Sequence, residues 1–225
     1  MNRRYFVGLD LGQSNDFTAV AVLEEMPAKL EGGDKDFAVR HLERYRHVPY
    51  PEIVDRVETL LNSAVLKHRS TLIIDGTGVG APVLDMFRKR HRQFTGVLIT
   101  GGDTESRGED GLHRVPKRNL VSGLQVLLQS GRLKIAGGLE LAETLKAEML
   151  NFKVKINLKT THDSYEAWRD GDHDDLVLGA ALAAWGASKF VPSWAPFGPV
   201  KDEGSYFLGF GQRNLGAPAP GEAWG

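Results

Sequence analysis

The sequence predicts an α/β fold: a mixed five-stranded sheet, three antiparallel strands then two parallel ones, flanked by helices, with a small β-ribbon insertion before the last helix. Two apolar runs predict it. Arg4-Tyr5-Phe6-Val7-Gly8-Leu9-Asp10 is too apolar for a surface strand and reads as the centre of a sheet covered on both faces. Thr71-Leu72-Ile73-Ile74-Asp75 repeats the pattern and is followed by a glycine loop and a helix. Both runs end on an aspartate, a residue of poor β-propensity that is costly to bury without a partner.

Taken in order, Gly12 to Asp16 is a turn and Phe17 to Leu23 a second strand, forming an antiparallel hairpin with the first. Residues 26–36 form a loop before a third strand, Phe37 to Tyr45. Apolar positions Ile53, Val54, Val57, Leu60, Leu61, Ala64 and Val65 recur at helical spacing behind Pro51, which suits a first turn. The strand ending at Asp75 and a fifth strand, Phe94 to Thr100, are joined by a crossover helix and are therefore parallel. Residues 101–114, rich in glycine and charge, read as a mobile loop. A helix from Pro116 to near Gly131, a short Leu133-Lys134-Ile135 segment and a helix from about Leu139 to Leu150 follow. Alternation in Phe152-Lys153-Val154-Lys155-Ile156 predicts a two-stranded ribbon over 151–169. The last helix begins at Asp172-His173-Asp174-Asp175 and is apolar nearly all round, hence buried. Residues 1–190 are expected to form one domain, and 191–225 a proline- and glycine-rich tail without a core of its own.

The chain has no cysteine, so any metal must be held by oxygen or imidazole. Its formal net charge of −1 gives no bulk attraction for nucleic acid, so any basic contact must be local. No apolar run reaches the ~20 residues of a membrane span and no signal peptide opens the chain, so a cytoplasmic protein with no membrane partner is expected.

The parallel strands put Asp10 and Asp75 at adjacent carboxyl ends, the edge where open α/β sheets bind ligands. Asp174 and Asp175 alone would be ordinary helix-start acids that complement the dipole. At the buried end of an apolar helix facing two more acids, they repel or take up protons unless a cation joins them. Hard oxygen donors suit Mg2+ or Mn2+, and two such ions ~4 Å apart can activate a water and stabilise a leaving oxygen at a phosphodiester. Asp10, Asp75, Asp174 and Asp175 are therefore the candidate catalytic and metal-ligating residues. His173 either orients a ligand or simply starts the helix. In the Gly76-Thr77-Gly78-Val79-Gly80 loop, Thr77 and Gly78 are candidate phosphate contacts, although the loop lacks the lysine of a P-loop. Lys117 and Arg118 sit in a first helical turn, where cations oppose the dipole and a phosphate partner would relieve the misfit. On one face of the expected ribbon, Lys153 and Lys155 are further candidate DNA contacts.

The segments GLDLGQSNDFTAVAV, LIIDGTGVGAPVLDMF, VPKRNLVSGLQVLLQSGRLKIA and EAWRDGDHDDLVLGAALAAW resemble the nuclease domain of the large terminase subunit of tailed phages and prophages, over residues 4–190. The resemblance implies a ribonuclease H-like fold and a divalent-metal endonuclease that cuts concatemeric double-stranded phage DNA during packaging. It implies Asp10 and Asp75 as the sheet carboxylates and Asp174 or Asp175 as the third, with Asp175 favoured. It also implies two Mg2+ or Mn2+ ions, a terminase ATPase and other packaging proteins as partners, and the bacterial host cytoplasm. The sequence departs from a full large terminase in starting almost on its first strand with no Walker A motif, which predicts a separate or excised nuclease domain without its own motor. Three other readings compete. A junction-resolving or repair nuclease would share the metal site, an actin-like ATPase would bind nucleotide, and a non-catalytic packaging module would cleave nothing.

Overall fold

The computed structural model describes residues 3–13, 16–26, 35–90, 93–158, 173–189, 201–202 and 205–206. Strands β1 (Arg4–Asp10), β2 (Thr18–Glu25) and β3 (Phe37–Tyr45) open the chain, followed by α1 (Tyr50–Leu61), β4 (Ser70–Asp75), α2 (Gly80–Arg90) and β5 (Phe94–Thr100). Then come β6 (Ser106–Arg107), β7 (His113–Pro116), α3 (Lys117–Gln129), β8 (Leu133–Ile135), α4 (Ala142–Leu158) and α5 (Asp175–Lys189). A detached antiparallel pair, β9 (Lys201–Asp202) and β10 (Ser205–Tyr206), is described in the tail region.

The sheet order is β6-β7-β5-β4-β1-β2-β3-β8. Its middle is the expected arrangement: β1 antiparallel to β2, β2 to β3, and β1 parallel to β4, which is parallel to β5. Both edges run further than expected. Leu133–Ile135 adds to β3 as β8. On the other side β7 runs parallel to β5 and carries β6, so 101–114 is partly sheet rather than a mobile loop. Strand pairing uses backbone groups, so a short strand needs little apolar sequence to form.

Side-chain alternation on β1 divides the core in two. Tyr5, Val7, Leu9 and Leu11 join Ile53, Val54 and Val57 of α1 and Val83, Leu84 and Phe87 of α2 on one face. Phe6 points the other way, into the layer made by α3, α4 and α5. Burying each such large apolar side chain contributes about 1.5–3 kcal/mol. Helix α5 is buried from Asp175 to Gly186 and crosses β1 at Gly8, where any Cβ would collide with the carbonyl of Gly179. That close approach seats the start of α5 beside the ends of β1 and β4.

The expected ribbon is corrected: 151–158 are the last turns of α4, and 159–169 lie outside the described residues. Continuing a helix adds a backbone bond per residue fixed, so five alternating residues do not suffice to end it. Helix α5 also starts later than expected, at Asp175, leaving His173 and Asp174 just before it.

Candidate active site

Leu9 pairs with Ile74, so the next residues, Asp10 and Asp75, end their parallel strands side by side. Parity aims both at α5, since Asp10 shares the face of Gly8, and Asp75 the face of Ile73, which belongs to the α5-side core. Asp10 is 8% exposed, Asp75 6% and Asp175 8%. Together with Asp174, His173, Thr77, Gly78 and Lys117 they line one cavity of about 550 Å3.

The acids in this cavity are held in two different ways. The carboxyls of Asp10 and Asp75 hydrogen-bond to each other, which requires a proton between them. Burial raises Asp10 well above the usual carboxylate range, and the charges of Asp75, Asp175 and Asp174 push it further, against a smaller opposing pull from Lys117. Burial likewise lifts Asp75 to about 6, offset in part by hydrogen bonds from Thr77 and Asp10 and by Lys117. The second pair is met by cations: Lys117 Nζ donates to Asp174 Oδ2 at 2.8 Å, and Arg44 Nη2 donates to Asp175 Oδ2 at 2.8 Å. Burial raises Asp175 too, against the stabilising bond from Arg44. His173 Nδ1 stands 3.6 Å from the same Asp175 oxygen, and its ring meets Phe17 edge-on.

The remaining candidates separate. Thr77 N–H donates to Asp75 Oδ1 at 2.8 Å, and its hydroxyl accepts from the Ile99 amide at 2.7 Å, so its polar groups hold the loop to the sheet. Gly78 has φ +78°, a backbone that disfavours a side chain, and a Cβ there would run into the Gln13 amide. Arg118 is not among the residues lining the cavity and pairs with exposed Asp103 at 2.8 Å. The side chains of Lys153 and Lys155 lie outside the described residues.

Two residues beside the site escape sequence reading, Arg44 of β3 and Glu148 of α4. Glu148 Oε2 accepts from the amides of Leu176 and Val177 at 3.0 and 3.2 Å, capping α5 from a neighbouring helix. Burial raises its carboxyl to about 7 despite these bonds and the Arg44 charge. A signal for it exists: Glu148 follows Ala142 and Leu145 at three-residue spacing on the buried stripe of its helix, where a lone charge is out of place.

In type the donors fit a hard divalent cation: buried carboxylate oxygens on one cavity, with no sulfur. In geometry they need to move. Among the described residues, no three acidic or imidazole side chains stand in ion-ligating positions.

Carboxylates at the ends of adjacent parallel strands and at the start of a helix crossing the sheet make this a ribonuclease H-like domain. The sequence profile of the terminase RNaseH-like domain matches residues 7–177, and the chain belongs to that family. Two structures of one phage nuclease agree on the fold. The large terminase nuclease from thermophilic phage G20c superposes with a TM-score of 0.54 at 20% identity, covering 81% of each chain. The same nuclease with bound zinc gives 0.50 at 20% identity, over 81% of this chain and 80% of that one. The human cytomegalovirus terminase nuclease domain, soaked with manganese, gives 0.49 at 10% identity, over 80% of this chain and 82% of that one. No curated protein sequence matches significantly. Among the described residues, no helix is long and apolar enough to cross a membrane.

Proposed function

We propose that this chain is a divalent-metal-dependent DNA endonuclease that cuts concatemeric double-stranded phage DNA during genome packaging, in the bacterial host cytoplasm. It does so together with a terminase ATPase and other packaging proteins. One observation carries the reading: acids from β1, β4 and α5 converge on a single cavity, with the buried carboxyls pushed upward rather than quietly neutralised. Membership of the terminase RNaseH-like family supports it, as does zinc in the G20c nuclease of the same fold.

In this reading Asp10, Asp75 and Asp175 hold two Mg2+ or Mn2+ ions, with Asp174 completing the second site. Bound ions supply an activated water on one side of the phosphodiester and charge stabilisation of the leaving oxygen on the other. The chain itself does the rest. Asp75 gives up its proton above about pH 6, which frees that carboxylate. The Thr77 amide fixes Asp75 from behind through a 2.8 Å bond. Lys117, which donates to Asp174 at 2.8 Å on the wall of the cavity, would bind a substrate phosphate oxygen. His173 orients Asp175. The Thr77-Gly78 backbone and Arg118 contact the DNA backbone further out.

Supercoiled plasmid incubated with the chain and Mn2+ or Mg2+ tests the proposal, with Asp75→Ala alongside. Metal-dependent nicking lost in the folded variant is the expected result. Nicking that persists in the variant, or none with either metal, overturns it.

A further inference from the structure

Arg44 reaches the site from β3, although neither its strand nor its neighbours carry an acid of the proposed metal set. Its guanidinium is fixed on three sides. Nη2 donates to Asp175 Oδ2 at 2.8 Å, Nη1 stands 3.5 Å from Glu148 Oε1, and the plane lies over the Phe17 ring at 3.8 Å. Only 14% of the Arg44 side chain is exposed, and 6% of Glu148. Among the described residues, Arg44 Nε and Glu148 Oε1 are buried polar atoms without a hydrogen-bond partner. Leaving such atoms unsatisfied costs free energy, so this pair is poor as a device for stability alone.

Its geometry suits another task. An aspartate at a helix start can swing about its first side-chain torsion, and Oδ2 is the oxygen that Arg44 and His173 both address. With Oδ2 so held, the carboxylate of Asp175 is fixed where it lines the cavity. Glu148 holds the other half of the assembly, gripping the first-turn amides of α5 through Oε2 while its second oxygen faces Arg44. Strand β3 and helix α4 thus clamp the first turn of α5 from two sides.

We propose that Arg44, anchored by Glu148 and Phe17, is a positioning residue that presents Asp175 to a divalent cation. It acts through Asp175 and touches neither the ion nor the DNA. This rests on the metal-dependent reading above. A rival role makes the opposite prediction: if Arg44 merely competed with the ion for Asp175, removing it would tighten metal binding.

Titration calorimetry of the metal-free full chain with MnCl2 decides between them, with thermal unfolding to check folding. Arg44→Gln is expected to weaken Mn2+ binding about ten- to hundredfold, the usual effect of removing a group that orients a ligand. Arg44→Lys keeps the charge without the fork and should fall between wild type and Arg44→Gln. Glu148→Gln retains the helix cap and loses the charge facing Arg44; it too should weaken Mn2+ binding, by less than Arg44→Gln. Unchanged or tighter Mn2+ binding in folded Arg44→Gln overturns the inference, and if that variant does not fold, an unchanged affinity in Arg44→Lys overturns it. Asp10→Asn separates the two proposals. Mn2+ binding lost in Asp10→Asn but unaltered in both Arg44 variants defeats this inference alone. A wild-type chain that binds no Mn2+ defeats the metal reading and this one with it.

Discussion

At the Arg4 end of β1, Glu24 is met by Arg3 at 3.0 Å and Arg40 at 2.6 Å, and Glu25 by Arg4 and by Lys35 at 2.9 Å. At the Asp10 end of the same strand, the cation acting on Asp10 and Asp75 is Lys117, itself paired with Asp174, while Arg44 stands between Asp175 and Glu148. Glu24 is 2% exposed and Asp10 8%, so burial does not distinguish the ends. The supply of positive charge does. A carboxylate kept for structure is given its own cations, whereas carboxylates gathered without enough cations bind protons and have a reason to bind metal.

The difference is sharpest in activity. Asp10→Asn removes an acid from the under-neutralised end, and cleavage is expected to fall by about a thousandfold or more, on the order of 4 kcal/mol of barrier. Plasmid nicking rates with Mn2+ measure it. The matched change at the other end, Glu24→Ala, should leave the rate within a factor of two or so of wild type. A comparable loss there would erase the distinction.

Stability against pH comes next. The folded value of Asp75, about 6, lies above its unfolded one, so the native state holds the extra proton between them. Stability from this group is therefore full below about pH 4 and declines as pH rises to about 6, by on the order of 3 kcal/mol. The upward shifts of Asp10 and Glu148 add with the same sign, the latter up to about 7. Urea unfolding of metal-free protein should show this fall, and Asp75→Asn should flatten it. Mn2+ at a hundred times its dissociation constant should restore about 2.7 kcal/mol at pH 8.

Glu24→Ala is expected to cost about 1 kcal/mol by urea unfolding, since its partners Arg3 and Arg40 are substantially exposed. A stabilising effect would mean that this end, too, is short of cations. The smallest effect belongs to Arg118→Gln. Its exposed pair with Asp103 is worth at most about 0.5 kcal/mol of stability, while the salt slope of DNA binding should drop by about one if it meets a phosphate.

The central sheet and the position of its acids are legible in the amino-acid pattern. Strands such as Phe6 to Leu9 and Leu72 to Ile74 are apolar over their whole length, a pattern tied to burial on both faces, and each ends on an aspartate at a fixed parity. The buried last helix is legible for the same reason. Those signals are local. The true length of α4 and the added edge strands β6, β7 and β8 were decided by backbone pairing and helix continuation, to which side-chain pattern contributes little. Tertiary structure also decided the company each acid keeps. Arg44 is 131 residues from Asp175 in sequence and Glu148 is 28 residues from Leu176, and nothing in either neighbourhood marks the partner. A charge balance is a property of a volume, and only the packing of β3, α4 and α5 around one cavity fixes which charges share it.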